Sequence, residues 1–330
     1  MVDLPYMNKD IIKQAIIETL AYFDVFDTPL TSEEIHRWLW KCEATYLDVQ
    51  ESLSAMYKDV RIGKKDGFYF LLGMDEIVAK RQLSIPIIDK KMDIAKKAAK
   101  KLRYIPFFRA MFVCNTVASS SASHCSDIDV FIVVRKGRLW LTRLFITLTL
   151  SLFRLRRTKK HVANKICLSF YVTDEHLDLS DVSIDEPDIY QMYWIDQLIP
   201  IYDPENVREE ILKKNKNAHS YIPNAFQPFN MHPRWRVNRK KISYSVRRIF
   251  EKVWEKGYGD MIEKQAKGAQ EKKMAMNYKS VREESNTNVV IDNTMLKFHE
   301  NDRRAAFREE WRKRVTNFKN NVISTGASTE

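Results

Sequence analysis

Two apolar segments separated by a polar loop constrain the fold of this chain more than any other feature. AMFVCNT begins at residue 110, the loop VASSSASHCS follows it, and DIDVFIVV (127–134) alternates before becoming wholly apolar. Alternation with a period of two is typical of a strand, and a short continuous apolar run is typical of a strand buried on both faces. The segment therefore predicts two strands of one sheet, and KICLSFYV (165–172) predicts a third.

Asp127 and Asp129 are the residues of this segment that can carry chemistry. Residues two apart on a strand face the same side, so the two carboxylates should lie together while Ile128 and Val130 point into the core. Two like charges held side by side need a cation, and hard ions such as Mg²⁺ bind carboxylates together with substrate phosphate oxygens. A strand edge with two solvated aspartates is the simpler interpretation of the same pair.

The surroundings of the pair resemble the DNA polymerase beta-type nucleotidyltransferase superfamily. Its members carry an apolar strand, a Gly-Ser pair, a spacer and then an acid-apolar-acid strand start. Here Asn115-Thr116 stands at the Gly-Ser position, residues 117–126 form the spacer, and SDIDVFIVV matches the second strand. The resemblance covers residues 90–175 and implies an α/β (α+β) fold with a small mixed-sheet nucleotidyltransferase domain.

The function that this resemblance implies is transfer of a nucleoside monophosphate from an NTP to an acceptor. Asp127 and Asp129 would be catalytic and would hold Mg²⁺. Arg143 lies in an otherwise apolar segment, where an unpaired charge is costly, so a buried partner or a phosphate is expected there. The candidate nucleotide-binding residues are Asn115, Thr116, Ser126 and Arg143.

Three departures from the superfamily pattern bear on activity. Asn115 replaces the glycine; it tolerates left-handed backbone angles better than most residues but adds a side chain where phosphate should approach. Thr116 keeps the hydroxyl of the usual serine. The strand at 165–172 offers Cys167 and Ser169 but no acid, whereas superfamily members generally place another carboxylate there.

The nearest acids follow that strand. Asp174 is the candidate for the missing catalytic carboxylate, and Glu175 and Asp178 lie close to it in sequence. Without such a base a metal-bound nucleotide could still bind, but transfer would be slow. Two functions therefore stay open: an active nucleotidyltransferase, or a catalytically weak relative that regulates by binding nucleic acid or a protein.

Residues 1–78 predict a winged-helix-like module. Three helical segments, the second beginning at Thr31 or Ser32, precede VRIGKKDGFYFLLG, in which Lys65-Asp66-Gly67 predicts a hairpin turn. The third segment carries three acids against one lysine between residues 44 and 59, so phosphates would repel it. A structural or protein-docking role is therefore favoured over DNA contact.

The rest of the chain divides into a catalytic domain at 79–204 and a helical, basic region at 205–330. LWLTRLFITLTLSLF (139–153) predicts a buried helix, with an interfacial membrane helix as the minority alternative. In the last third, four residues at helical spacing predict one buried stripe: Ile242, Val246, Ile249 and Val253.

LKFHENDRR (296–304) combines charged and ring-bearing residues close to the end of the chain: His299, Asp302, Arg303 and Arg304. No mechanism demands their spacing. A capped helix start at Asn301 or Asp302 explains most of the motif.

The amino-acid composition indicates which classes of partner the protein could bind. Lys and Arg number 55 against 43 Asp and Glu, and the formal charge of +12 favours phosphate-rich or acidic partners. The four cysteines lack zinc-ligand spacing. MVDLPYMNKD lacks the apolar run of a signal peptide and no apolar stretch reaches a membrane span, so we expect a cytoplasmic protein. The expected partners are an NTP and an acceptor of unknown class: nucleic acid, small molecule or protein.

Overall fold

The strand, loop and strand at the centre of the chain form the middle of a sheet in the computed structural model, which describes residues 9–184, 187–225, 233–276, 288–299 and 301–326. The α+β class predicted from the sequence is confirmed. The helices are α1 (Lys9–Asp24), α2 (Ser32–Arg37), α3 (Tyr46–Lys58), α4 (Glu76–Leu102), α5 (Asn115–Ala118), α6 (Leu139–Leu152), α7 (Ile189–Asp196), α8 (Val207–Lys214), α9 (Lys216–Tyr221), α10 (Lys241–Val253), α11 (Gly257–Ala275) and α12 (Arg304–Gly326). The strands are β1 (Ile62–Lys65), β2 (Phe68–Leu71), β3 (Phe108–Val113), β4 (Ile128–Val134), β5 (Ile166–Thr173), β6 (Ile199–Tyr202), β7 (Val289–Ile291) and β8 (Met295–Phe298).

The main sheet is mixed, with the strand order β6-β3-β4-β5-β8-β7. β4 and β5 run parallel, and the other neighbouring strands pair antiparallel. β3 and β4 lie inside this order and are buried on both faces, which explains their nearly continuous apolar sequences.

The two faces of the sheet are covered by different parts of the chain. Ile128, Val130 and Ile132 point towards α4, α6 and α11, on the side that we call the helical face. Phe131 and Val133 point towards the N-terminal helices and α7, on the side that we call the module face. The alternation along β4 therefore assigns each side chain near Asp129 to one face.

The N-terminal module has the three helices and hairpin that the sequence predicts. Thr31 caps α2, and its side chain and that of Glu34 form a reciprocal capping box. The hairpin turn places Asp66 and Gly67 at φ of 51° and 82°, as the tight turn between β1 and β2 requires. The module is packed against the sheet through one continuous core, in which Tyr22 stacks on Tyr193 of α7 at 4.3 Å between ring centroids.

Two helical predictions need correction. The sequence predicts a buried stripe on α10, but Ile242, Ile249 and Val253 are exposed, and Val246 is only half-buried. The segment at 139–153 was expected to be a buried helix; α6 does bury one face, but it exposes Leu148 and Leu152. In both helices the apolar pattern extends beyond the surface that the rest of the described chain covers.

The boundary predicted between residues 78 and 79 falls inside α4. The division into three domains stays a prediction. Among the described residues, no helix combines the length and the apolar character needed to cross a membrane.

Candidate functional site

Asp127 and Asp129 lie at the start of β4, on the module face. Asp129 pairs in register with Cys167 at the start of the parallel strand β5. One carboxylate oxygen from each aspartate and the Sγ of Cys167 all lie within 4.8 Å of one another. The structure thus brings the two predicted residues together and adds a thiol where the resemblance implies a third carboxylate.

A bulge in the β4–β5 pair determines which side chain of β5 joins the aspartates. Asp129 pairs with Cys167 and Phe131 pairs with Phe170, so two steps along β4 correspond to three along β5. Both Cys167 and Phe170 consequently accompany residues of the module face. The extra residue in β5 therefore offsets the strand but leaves a thiol beside Asp129.

Burial changes the proton affinities of this cluster. Burial and the neighbouring charge of Asp127 raise the pKa of Asp129, while a hydrogen bond from Asn115 partly opposes the rise. Burial and the charge of Asp129 raise the pKa of Cys167 to about 12. Cys167 is therefore a neutral thiol near pH 7, and it adds no negative charge to the two carboxylates.

Arg157 is the counter-charge of the cluster. Its Nη1 lies 3.0 Å from Oδ2 of Asp127 and donates to Sγ of Cys167 at 3.4 Å. The Arg157 backbone N–H donates to the carbonyl of Ile166 at 2.9 Å, which holds this residue beside the start of β5. The Arg157 side chain is 46% exposed. Sequence reasoning missed it because it belongs to the basic run RLRRTKK.

Asn115 is fixed against the aspartates. Its φ of 54° lies in the left-handed region, as expected at a position where the superfamily has glycine. Its Oδ1 accepts hydrogen bonds from Nε1 of Trp194 at 2.9 Å and from the hydroxyl of Tyr190 at 3.4 Å. With its oxygen used in this way, the amide group turns its nitrogen towards Asp129.

Thr116 and Ser126 lie at the two ends of the loop that joins β3 to β4. Thr116 is exposed in the short helix α5. The Ser126 hydroxyl donates to the carbonyl of Ser123 at 3.0 Å. Both predicted residues are close in sequence to the cluster, but the Ser126 hydroxyl is engaged within its own loop.

Lys91 supports this loop from α4, and sequence reasoning missed it. Its fully buried ammonium donates to the carbonyl of Ser126 at 2.5 Å and to Oδ1 of Asn164 at 3.1 Å. Burial lowers the pKa of Lys91, and the charge of Asp127 opposes that shift. A signal was present in the sequence, because Lys91 lies on the same helical stripe as the buried Ala98 and Leu102.

Asp174 is not part of the cluster, which corrects its prediction as a catalytic residue. Its backbone N–H donates to the carbonyl of Val134, and its carboxylate accepts from the backbone N–H of Lys136 at 2.8 Å. Because β4 and β5 are parallel, Asp174 lies at the opposite end of both strands from Asp129. At about 3.3 Å per residue that separation is roughly 17 Å, so no rotamer of Asp174 can reach the aspartate pair.

Arg143 is also remote from the cluster, which corrects its prediction as a nucleotide-binding residue. The buried partner expected for it exists: Nη1 donates to Oε1 of Gln270 on α11 at 2.6 Å. The guanidinium also lies 5.8 Å from the ring centroid of Tyr171, which belongs to the helical face. The sheet itself therefore separates Arg143 from Asp127 and Asp129.

A cavity of about 460 Å³ adjoins the cluster between β5, β8, α7 and the start of α12. Asn115 and Arg157, which contact the aspartates, also line this cavity. Two stacked aromatic pairs form much of its apolar wall: Phe170 with Trp194 and Tyr190 with Phe307, each at 5.7 Å between centroids. An elongated ligand bound here would have one end near Asp127 and Asp129.

The motif at 296–304 supplies the charged wall of this cavity. Burial lowers the pKa of Lys297 to about 8. The Arg304 guanidinium donates to Asp188 at 2.6 Å and to Asp302 at 2.9 Å, and despite burial it holds the pKa of Asp302 at about 2. Asp302 also accepts from the backbone N–H of Arg304, the first residue of α12, at 3.1 Å. The motif thus serves both as a helix start and as part of a cavity.

Comparisons with protein-family models, with curated proteins and with solved structures found no match to this chain.

Proposed function

We propose that this protein is a nucleotidyltransferase of the DNA polymerase beta type, which transfers a nucleoside monophosphate from an NTP to an acceptor with Mg²⁺ held by Asp127 and Asp129. One observation carries the proposal. The two carboxylates sit side by side on one face of β4, at the edge of a cavity that has cationic and aromatic walls. Such a cavity is within the usual size range of nucleotide-sized ligand sites, roughly 300–1,000 Å³.

The residues present fit a divalent cation. Asp127 and Asp129 provide two adjacent carboxylates, and the raised pKa of Asp129 reflects the cost of burying its charge and of holding it beside Asp127. Mg²⁺ bound there would polarise a phosphoryl oxygen and neutralise charge on the phosphates. The thiol of Cys167 is a poor ligand for so hard an ion, so substrate oxygens and water would complete the coordination.

The cavity walls fit the remaining parts of an NTP. Arg157, next to Asp127, and Lys297, further inside, can each bind a phosphate oxygen through charge-assisted hydrogen bonds. The rings of Tyr190 and Phe307 offer an apolar surface for a base. Asn115 orients Asp129 while it occupies the position from which the superfamily's glycine lets phosphate approach.

The attacking hydroxyl lacks an obvious base. Cys167 holds its proton near pH 7, and Asp174 lies at the far end of the strands. We therefore expect slow transfer, because a positioned base typically contributes about 10²–10⁴-fold to the rate. The acceptor can be a nucleic acid, a small molecule or a protein, and a cytoplasmic location is part of the same proposal.

The thiol at position 167 also favours a second candidate function. A protein that keeps the carboxylate pair but lacks the third acid can bind a nucleotide without transferring it, and can act as a regulator of nucleic acid or protein partners. In that case NTP binding would be readily measured while NTP consumption stayed at background in the presence of every acceptor class.

The test is the double substitution Asp127→Asn and Asp129→Asn, measured as Mg²⁺-dependent NTP consumption against acceptor mixtures of each class. Both asparagines keep the side-chain shape and remove the charge. We expect consumption to fall to background, with Asp174→Asn as the matched control that retains activity. Unchanged turnover in the double variant would contradict the proposal. Salt-sensitive nucleic-acid binding that survives the double substitution, without NTP consumption by the unaltered protein, would support the regulator.

A further inference from the structure

The helix α10 has its polar side against the protein and its apolar side outwards. Ser243, Arg247 and Glu251 are buried, whereas Ile242, Ile249 and Val253 are 72%, 62% and 57% exposed. Isolated exposed apolar residues are common, but three exposed branched aliphatic residues along one stripe of a helix are not. This arrangement is the reverse of a helix that covers a core.

Polar contacts explain how α10 is held in this orientation. Nη1 of Arg247 donates to the carbonyl of Phe108 at 2.9 Å, and the carboxylate of Glu251 accepts from the backbone N–H of Phe107 at 2.9 Å. Arg247 also lies 3.5 Å from Glu251 and 3.2 Å from Glu205. Buried hydrogen-bonded charges therefore fix which side of α10 faces inwards, and the apolar side is left outside.

Further exposed apolar residues lie on α6, whose Phe145 contacts the residue that follows α10. Trp254, directly after α10, stacks on Phe250 at 5.4 Å and on Phe145 of α6 at 5.1 Å between centroids. Phe145, Leu148 and Leu152 follow one another at spacings of three and four, so they share one side of α6. We call the exposed apolar residues of the two helices the α6–α10 face; they are Leu148, Leu152, Ile242, Ile249, Phe250 and Val253.

Positive charge borders this face. Lys241 and Lys252 are exposed and lie eleven residues apart, about three helical turns, so both flank the same edge of the stripe. At the end of α6, Lys101 lies over the ring of Phe153 at 4.2 Å, and the exposed Arg154 follows.

The acids nearest to this border are already engaged within the protein. Glu251 is buried, Glu255 pairs with Arg135 at 2.8 Å, and Asp260 pairs with Arg138 at 2.7 Å. The border therefore presents mainly positive charge to a partner.

We propose that the α6–α10 face docks on the surface of an anionic lipid bilayer, with α10 lying in the interface. An aliphatic stripe with lysines along its edge fits this surface, since the aliphatic side chains can enter the acyl boundary while the lysines reach lipid phosphates. The charge at the border selects anionic headgroups over neutral ones. The chain would thus act at a membrane surface without the aspartate cluster taking part in docking.

The experiment is co-sedimentation of the full chain with vesicles of phosphatidylcholine alone and of phosphatidylcholine mixed with phosphatidylglycerol, at low and high salt. The test variant carries Ile249→Ser and Val253→Ser. A matched control carries Leu47→Ser and Leu83→Ser, which alter residues that are 63% and 72% exposed elsewhere on the surface. Both variants change exposed side chains, and equal thermal melting curves establish that both fold.

We expect the unaltered protein and the control to bind the anionic vesicles alike. The test variant should bind them at least about tenfold more weakly, because it loses aliphatic groups that enter the acyl boundary. A second variant, Lys241→Glu with Lys252→Glu, should lose the preference for anionic over neutral vesicles, by about tenfold. Equal binding by the test variant and the control would overturn the proposal. So would sedimentation velocity that shows a dimer abolished by the test variant, since a second copy of the chain would then cover the face.

Discussion

The parallel pair of β4 and β5 has a carboxylate next to an arginine at each end, and the two ends differ in how far the chain itself satisfies that carboxylate. At the far end, Asp174 accepts from the backbone N–H of Lys136 at 2.8 Å and lies 3.4 Å from Nε of Arg109. At the near end, Arg157 lies 3.0 Å from Asp127, and Asp129 adds a second negative charge. The presence of an arginine beside an aspartate therefore does not distinguish the candidate site from the other end of the strands.

What distinguishes the near end is an excess of half-buried negative charge. Burial and Asp127 raise the pKa of Asp129, so the folded protein holds its ionised form at a cost. That cost is removed when a cation binds, whereas the far end already has its donors in place. We therefore expect metal and NTP to affect the near end of these strands and to leave the far end unchanged.

The largest expected effect separates Asp129→Asn from Asp174→Asn. The first substitution removes half of the carboxylate pair, so Mg²⁺-dependent NTP consumption should fall by on the order of 10³-fold. The second removes a charge at the far end and should change consumption less than about twofold. Steady-state kinetics at saturating Mg²⁺ measure both variants on one scale. Equal losses in the two variants would show that the ends are not functionally distinct.

The second-largest expected effect concerns whether the thiol of Cys167 limits the rate of NTP consumption. Cys167→Asp places a carboxylate beside Asp129, at the position where the superfamily resemblance implies one. If transfer is slow for lack of that group, the variant should consume NTP about 10²-fold faster. Without metal the third charge should lower the melting temperature, and Mg²⁺ should raise it by more than it does in the unaltered protein.

Cys167→Ser is the control for that gain, because it replaces the thiol without adding charge. It should leave both the rate and the response of the melting temperature to Mg²⁺ near those of the unaltered protein. A Cys167→Asp variant that melts like the serine variant in the absence of metal would mean that the new carboxylate does not face the pair.

The sequence predicted the near end well because local patterns determine it. Alternation along 127–134 places Asp127 and Asp129 on one side of β4, and the left-handed backbone at Asn115 follows from its position after β3. Arg157 and Lys297 could not be predicted in the same way. They reach the site through pairing of β5 with its neighbours, and that long-range register leaves no local signal.

The helices show a second limit of prediction from sequence, which concerns whether an apolar face is buried. α4 and α10 both carry an apolar stripe among lysines and arginines, and periodicity predicts one covered face in each. Ala98 and Leu102 of α4 are indeed fully buried, whereas Ile249 of α10 is exposed. Periodicity identifies an apolar face but not the surface that covers it, and in α10 the buried Arg247 and Glu251 reversed the outcome.

The smallest expected effect concerns pH and the cavity next to the near end. Burial lowers the pKa of Lys297 from 10.5 to about 8. Between these values the unfolded chain binds the proton and the folded chain does not, so the free energy of unfolding gains a contribution as pH rises through that window. Below about pH 8, Lys297 is charged in the folded protein as well, and the full cost of burying that charge lowers the free energy of unfolding.

Nucleotide binding should show the opposite sign, because phosphate favours the charged form of Lys297. We expect the affinity for an NTP to fall by about tenfold as pH rises past the pKa of this lysine, measured by calorimetric titration. Lys297→Arg, whose charge persists at these pH values, should remove the dependence while keeping the affinity; Lys297→Gln should remove both. A dependence that persists in Lys297→Arg would assign the titration to another group.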